Sequence, residues 1–136
     1  MRKRRDLTIR RTPIGLGLFT VSPIRGGALV CEYTGNLISN SDTPRMKGRY
    51  LFEVNSRWTI DGSRRDNIAR YINHSCTPDC EAFTRGKRVF IYAKRNISAG
   101  EELCYDYGKA YFDEFIKPKG CACERCSPRP GVNGRR

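Results

Sequence analysis

Short segments rich in apolar residues, with close turns between them, recur along almost the whole chain, and they are the feature that most limits its fold. LTIRRT, ALVCEY, RYLFEV, RWTIDG, EAFTRG, RVFIYAK and ELCYDY each have the length of a typical β-strand. Gly, Pro, Asn and Ser separate them, as in PIRGG and SAGE, and these residues favour turns. RRDNIARYI could form a turn or two of helix capped by Asp66 or Asn67, and YFDEFI a second short helix. The pattern predicts a mostly β domain.

Charge is the second constraint. Lys and Arg number 26 against 14 Asp and Glu, a net charge of +12, with basic clusters at 2–5, 10–11, 85–88 and 135–136. Such a surface attracts polyanions, above all nucleic acid or nucleoprotein, although it could equally serve only to keep a small protein soluble. The start MRKRRDLTIRR lacks the apolar stretch of a secretory signal, and no apolar run reaches the roughly 18 residues of a membrane span. We expect an intracellular protein with no membrane partner, nuclear in a eukaryote and cytoplasmic in a bacterium.

The seven cysteines are expected to be core residues or metal ligands rather than disulfides. CACERC places Cys121, Cys123 and Cys126 on one short segment, where disulfides between neighbours would be strained. Zinc takes thiolates in a tetrahedron and needs a fourth ligand, for which Cys76, Cys80 and His74 are candidates. Residues Cys31 and Cys104 lie in apolar segments and are predicted to be small core residues.

The decapeptide YINHSCTPDC, residues 71–80, holds the only histidine and two cysteines. It could be a metal knuckle, a hydrolytic site, or a turn that holds a small molecule. Hydrolysis is disfavoured because His74, Ser75 and Cys76 are consecutive, and adjacent side chains point apart, whereas a base and its nucleophile must meet.

Five motifs taken together in order carry a family resemblance: GLGLF, CEYTG, RYINHSC, ELCYDYG and CACERC. In this order and spacing they resemble the SET-domain protein lysine methyltransferases with a post-SET zinc tail, over residues from about 9 to 126. The resemblance implies several small, mostly antiparallel sheets and a knot-like C-terminal crossing that brings NHSC beside YDYG. It also implies S-adenosylmethionine as methyl donor and a target lysine that enters through a narrow channel from the other face.

Site residues follow from the matched motifs. The backbone at Gly15, Leu16 and Gly17 would approach the cofactor closely, which glycine permits. Further cofactor positions would be Tyr50, Arg70, Tyr71, Asn73 and His74. The zinc ligands would be Cys76, Cys121, Cys123 and Cys126, with Cys80 left as a spare thiol. In this family four residues usually separate the Cys-x-Cys pair from the third tail cysteine. In this chain only two residues separate them.

The last strand suggests the active site. Alternation places Tyr105 and Tyr107 on one face about 7 Å apart, where two phenols suit a channel for a lysine amine. By resemblance Tyr107 is the active-site tyrosine, Tyr33 a second channel wall, and Tyr105 the position that limits the product mainly to monomethyl-lysine. Histone-like basic tails are the expected substrates, with electrostatic contact to nucleic acid or the nucleosome. The competing interpretation is an idle basic zinc module that binds nucleic acid or chromatin.

The predicted organisation is a basic flexible N-terminus at 1–8, a SET catalytic domain at 9–108, a post-SET zinc segment at 109–126 and a basic flexible tail at 127–136. No cysteine-rich segment precedes Gly15, so we expect a compact, stand-alone catalytic unit.

Overall fold

A computed structural model describes residues 6–41 and 50–107 of the chain. These residues form ten strands and one short 3-10 helix, at Ile68–Tyr71. The strands are β1 Leu7–Thr12, β2 Gly15–Thr20, β3 Leu29–Tyr33, β4 Asn36–Ser39, β5 Leu51–Glu53, β6 Trp58–Asp61, β7 Asn73–His74, β8 Cys80–Arg85, β9 Arg88–Ala93 and β10 Glu102–Tyr105. The mostly β prediction is therefore confirmed, and the first strand begins at Leu7, inside the segment expected to be flexible.

Three small sheets make up this part of the chain. Their strand orders are β1-β2-β10-β7, β3-β9-β8 and β4-β6-β5. Every pairing between these strands is antiparallel except that of β10 with β7, which is parallel. Hairpins such as β1–β2 and β8–β9 supply most of the local pairing, whereas β10 returns from late in the chain to pair with β2 and β7.

One apolar core lies where the sheets meet. Its largest fully buried apolar side chains come from β2, β9, β10 and the connecting segments: Leu18, Ile24, Ile72, Ile91, Ile97 and Leu103. Removing such side chains from water supplies about 1.5–3 kcal/mol each. Burial alternates along β9 and β10 because successive side chains point to opposite sides of the sheet.

Two predicted elements differ in detail. The helix expected in RRDNIARYI is a single 3-10 turn. Asn67 stands at its N-cap position, but its side chain caps nothing there. It accepts instead from the Thr34 N–H and donates to the Gly62 carbonyl, tying two loops together. The strand predicted over 102–107 ends at Tyr105.

The predicted helix YFDEFI and the zinc-binding tail lie outside the described residues. No helix within 6–41 and 50–107 is long and apolar enough to cross a membrane.

Candidate functional site

The parallel pairing of β7 with β10 organises the site. Asn73 lies opposite Cys104 and His74 opposite Tyr105, and the Ser75 N–H donates to the Tyr105 carbonyl at 3.2 Å. Two segments about thirty residues apart in sequence are therefore neighbours in space. The expected placement of NHSC beside YDYG is what this pairing produces.

A cavity of about 250 Å³ opens beside this pairing. It is lined by the turn at the start of β2, by the 3-10 helix and by β7: Ile14, Gly15, Leu16, Tyr50, Arg70, Tyr71, Asn73 and Tyr107. Six of the eight residues predicted to contact a cofactor thus share one cavity. The other two, Gly17 and His74, are not among its lining residues, and His74 lines instead a wider groove of about 700 Å³.

The two glycines of GLGLF are needed for different reasons. Gly15 has a φ of +120°, which other residues rarely adopt, and the position of its missing Cβ is open space. Gly17 has an ordinary backbone, but a Cβ there would lie 2.6 Å from Glu102 Oε2 and 3.2 Å from Asn73 Nδ2. The first glycine shapes the turn above the cavity, and the second makes room for polar side chains beside it.

Arg70 is the cation of the cavity. Its guanidinium lies over the ring of Tyr50 at 4.4 Å and over the ring of Tyr71 at 5.0 Å, an arrangement that stabilises the charge and fixes its position. One guanidinium nitrogen donates to the Ser63 carbonyl. The buried Nε has no hydrogen-bond partner among the described residues. A buried donor of this kind is costly unless something pairs with it.

Asn73 links the cavity to the neighbouring strands. Its Nδ2 donates to the Leu16 carbonyl at 3.0 Å and to Glu102 Oε2 at 2.8 Å. Both bonds reach across to residues far away in sequence, on β2 and β10. Asn73 therefore sets how the glycine turn sits over the cavity.

His74 is half-buried, and its side chain is 6% exposed. Its Nδ1 accepts the Tyr107 N–H at 3.1 Å, so the ring proton belongs on Nε2, which lies 3.5 Å from Cys76 Sγ. Burial lowers the pKa of His74, an effect that nearby Asp106 only partly offsets. With its basic nitrogen occupied by a backbone donor, His74 positions Tyr107 and is unavailable as a general base.

A continuous row of aromatic rings leads away from the cavity. Ring centroids are 4.9 Å apart for Tyr107 and Tyr105, 6.3 Å for Tyr105 and Phe52, and 5.2 Å for Phe52 and Tyr33. Tyr107 donates its hydroxyl to the Ile72 carbonyl, and Tyr33 donates to the Tyr50 carbonyl at 2.7 Å. The three predicted tyrosines thus lie in one row.

Sequence reasoning missed two residues of the site. Phe52 completes the aromatic row, and Ile14 lines the cavity although 45% of its surface is exposed. Phe52 follows Tyr50 by two positions in the predicted strand RYLFEV, so a shared side of that segment was a usable signal. Ile14 had only its position before Gly15 to mark it.

The cysteines of the described residues differ in environment. Cys80 is 1% exposed, and its burial strongly raises the pKa of its thiol, which disfavours the thiolate a metal requires. Cys76 is half-buried beside His74. Cys31 packs against the core as predicted, and Cys104 is also half-buried. No group of three metal-ligating side chains occurs in the described part of the chain, and Cys121, Cys123 and Cys126 lie outside it.

The sequence matches a protein-family model, described as the SET domain, over residues 15–108. That span contains the glycine turn, the 3-10 helix, β7 and the aromatic row. The chain belongs to the SET domain family. The strand architecture agrees with this assignment, so the resemblance to the SET domain and the predicted mostly β fold class are confirmed, whereas the predicted post-SET zinc tail lies outside the described residues.

Relatives of this SET domain include several proteins named as histone-lysine N-methyltransferases. The trithorax protein of Drosophila virilis is 37% identical over 124 residues, covering 82% of this chain and 3% of the relative. A protein of Yarrowia lipolytica named H3 lysine-4 specific is 38% identical over 104 residues, covering 67% of this chain and 9% of the relative. Human EHMT1 is 34% identical over 140 residues, covering 93% of this chain and 11% of the relative. The chain thus spans about a tenth or less of the length of these relatives.

Proposed function

We propose that this SET domain is an S-adenosylmethionine-dependent methyltransferase that modifies the side-chain amine of lysine in a protein. One observation carries the proposal: Tyr107 belongs both to the lining of the cavity and to the aromatic row. A donor in the cavity and an amine in the row would therefore meet at one phenol. The names of the relatives point to the same reaction.

The residues around the cavity fit the methyl donor. Its carboxylate would pair with Arg70, whose buried Nε otherwise lacks a partner. The turn at Gly15 leaves open space where any other residue would carry a Cβ, so backbone and ligand can approach closely. When bound, S-adenosylmethionine supplies a methyl group on a positively charged sulfur. The glycine turn, Tyr50, Tyr71 and Asn73 would hold it, with His74 acting through Tyr107.

The aromatic row suits a lysine side chain. Faces of Tyr33, Phe52 and Tyr105 offer apolar contact to the alkyl chain and attract a cationic amine. Tyr105 is only 7% exposed and Tyr33 4%, so bulk water is largely excluded where they line the row. Holding the amine in one alignment in a dry channel is worth more for a displacement than a strong base.

The hydroxyl of Tyr107 makes a hydrogen bond whose direction is defined. Its proton is given to the Ile72 carbonyl, so its oxygen lone pairs are left as acceptors for an amine N–H. A lysine amine has an unperturbed pKa near 10.4 and must lose a proton before it becomes a nucleophile. Because His74 Nδ1 already accepts the backbone N–H of Tyr107, we assign that proton to water in the channel. The bound donor would supply the methyl group for the amine nitrogen that takes its place at Tyr107.

Substrate class and product follow from finer observations. We propose a histone or similar basic tail as substrate, in keeping with the relatives' names, and a nuclear site of action in a eukaryotic cell. Mainly monomethyl-lysine is the proposed product, because the Tyr105 ring lies next to the rings of Phe52 and Tyr107, and its hydroxyl would take up room that an added methyl group needs.

Zinc is the second proposed cofactor. Cys76 would bind it together with Cys121, Cys123 and Cys126, which makes a four-thiolate structural site. The Nε2–H of His74 faces Cys76 Sγ and would donate to that sulfur, the kind of second contact that orients metal ligands. Cys80, buried in the core with a raised pKa, is the poorer candidate.

Transfer of a labelled methyl group tests the proposal. The protein is incubated with S-adenosylmethionine labelled on the methyl group and with a histone H3 tail peptide, and the labelled residue is mapped by mass spectrometry. We expect label on a lysine side chain, and none on a matched peptide with every lysine replaced by arginine. Binding of nucleic acid without any methyl transfer to a panel of histones would favour the idle zinc module instead.

A further inference from the structure

The hairpin between β8 and β9 ends in an unusually basic tip. Arg85 and Arg88 lie directly opposite each other across the two strands, and Gly86 and Lys87 form the turn between them. All four residues are exposed. Like charges placed directly opposite each other in a sheet destabilise the pair. Folding alone therefore does not explain this arrangement.

Only one cation of the tip is neutralised by an ion pair in the described residues. Arg88 donates to both carboxylate oxygens of Glu32, at 2.8 and 2.9 Å, and this pairing raises the pKa of Arg88. Arg85 lies 5.8 Å from the ring of Phe90, a contact that holds the side chain without removing its charge.

A second loop adds charge to the tip. Lys87 Nζ lies 4.8 Å from the ring centre of Trp58, which joins the hairpin to the β4-β6-β5 sheet. Arg57, the residue before Trp58, is exposed at the turn between β5 and β6. Within 6–41 and 50–107, Arg57, Arg85 and Lys87 make no ion pair. We call these three cations, with Arg88 and Trp58, the hairpin-tip patch.

We propose that the hairpin-tip patch binds the phosphate backbone of duplex nucleic acid. Three unpaired cations from two loops can each contact a phosphate while long side chains adapt to the spacing. Lys87 lies over the ring of Trp58, so that ring is not free to serve as an apolar anchor. An acidic protein partner would need such an anchor for a stable interface, so the sequence-independent phosphate backbone is the better fit. The chain's net charge of +12 adds long-range attraction.

Fluorescence anisotropy with a labelled DNA duplex tests this proposal over a series of salt concentrations. The Arg85→Gln/Lys87→Gln variant should bind at least about tenfold more weakly, and the slope of log affinity against log salt should fall by about 2, since each lost phosphate contact removes about 0.9. Arg57→Gln should lower the slope by about 1. The double variant should be no less stable than the wild type, because it relieves the Arg85–Arg88 repulsion.

The matched control removes the same charge at the opposite end of the same sheet. Arg25 and Lys94 are both exposed near the end of β9, away from the tip. The Arg25→Gln/Lys94→Gln variant should keep most of the affinity and slope. Equal losses in both double variants would overturn the proposal in favour of a diffuse charge effect. Unchanged DNA binding in the tip variant, together with a selective loss of binding to a poly-glutamate peptide, would assign the patch to an acidic protein.

Discussion

The ring of Tyr107 lies 4.9 Å from the ring of Tyr105, and Tyr107 alone of the two also lines the cavity beneath the glycine turn. The two tyrosines therefore have different positions relative to the cavity. Tyr107 stands where donor and amine would meet, whereas Tyr105 stands one ring further along the row. Substitution of the two phenols should therefore have different consequences.

Tyr107→Phe should lower turnover at least about tenfold, which corresponds to ~1.4 kcal/mol of barrier. The ring remains, but the oxygen that would accept from the amine is gone. Stability should fall by no more than about 1 kcal/mol, the usual contribution of one hydrogen bond such as that to the Ile72 carbonyl. Steady-state kinetics and urea unfolding measure the two effects separately.

The control for that variant is Tyr92→Phe. Tyr92 is half-buried on β9, with its ring 5.7 Å from that of Phe83, and it lies outside the cavity lining and the aromatic row. Its turnover should match the wild type. Full activity in Tyr107→Phe would mean that the active site has been assigned to the wrong phenol.

Tyr105→Phe should change the product rather than the rate. Deleting the hydroxyl leaves room for water to depart and for a monomethylated amine to turn and align again. The wild type should stop mainly at monomethyl-lysine, and the variant should accumulate dimethyl-lysine. Mass spectrometry of a lysine peptide after long incubation measures both. Mostly trimethyl-lysine from the wild type, or an unchanged distribution in the variant, would show that Tyr105 does not limit the product.

Purified, reduced protein should contain about one zinc ion per chain, because four thiolates close a structural tetrahedron. Chelation should lower activity while leaving the β core folded, since side chains between Leu18 and Tyr105 form a connected buried cluster among the described residues. Metal analysis combined with circular dichroism checks both. Cys76→Ser should lose the metal and Cys80→Ser should retain it; the reverse result would exchange the two assignments.

Asp79 should make stability depend on pH in a defined direction. The carboxyl is buried, and burial raises its pKa above the usual 3.8, although the Cys104 N–H and Arg95 partly offset this. The folded protein therefore holds the proton more tightly than the unfolded chain. The stabilisation that protonated Asp79 contributes is fully present below pH 3.8, the pKa of the carboxyl in the unfolded chain. It is lost as the pH rises through the raised pKa of the folded protein.

The Asp79→Asn variant keeps an acceptor for the Cys104 N–H, which lies 2.8 Å from the carboxylate, and cannot ionise. Its free energy of unfolding relative to the wild type should therefore improve between about pH 4 and pH 7, because only the wild type must bury a charge. Urea titrations of both proteins at the two pH values give the difference. If the free energy of unfolding of the variant relative to the wild type fell as the pH rises, the folded state would be stabilising the Asp79 anion instead.

Much of the fold was open to prediction because short apolar segments bounded by turn residues are a local signal. The segments containing β1, β3, β8 and β9 were recognised to within a residue or two, since Gly, Pro, Asn and Ser mark where they begin and end. The end of β10 was not, because the alternation continues to Tyr107 while the chain leaves the sheet after Tyr105. The short helix in RRDNIARYI was located correctly, but it is a 3-10 turn, and the Asn67 side chain bonds to loops instead of capping it.

The candidate site could be predicted from the sequence only in part. Family motifs pointed to Gly15, Arg70 and Tyr107, and the structure brings these three to one cavity. What no pattern could supply was the role of each contact. That His74 accepts the Tyr107 N–H, and that Asn73 reaches both Leu16 and Glu102, depends on pairing across more than twenty-five residues of sequence. Phe52 joins the row through packing, and only its position two residues after Tyr50 could have marked it.

The central claim is that the cavity beneath the glycine turn holds the methyl donor, and calorimetric titration with S-adenosylhomocysteine tests it most directly. The wild type should bind one molecule per chain, and Asn73→Ala should bind at least about tenfold more weakly, a loss of ~1.4 kcal/mol, because the turn loses its anchor. Asn96→Ala, which removes a comparable loop hydrogen bond to Gly26 far from the cavity, should bind as the wild type does. No binding by the wild type, or equal binding by Asn73→Ala with its fold intact, would contradict the account.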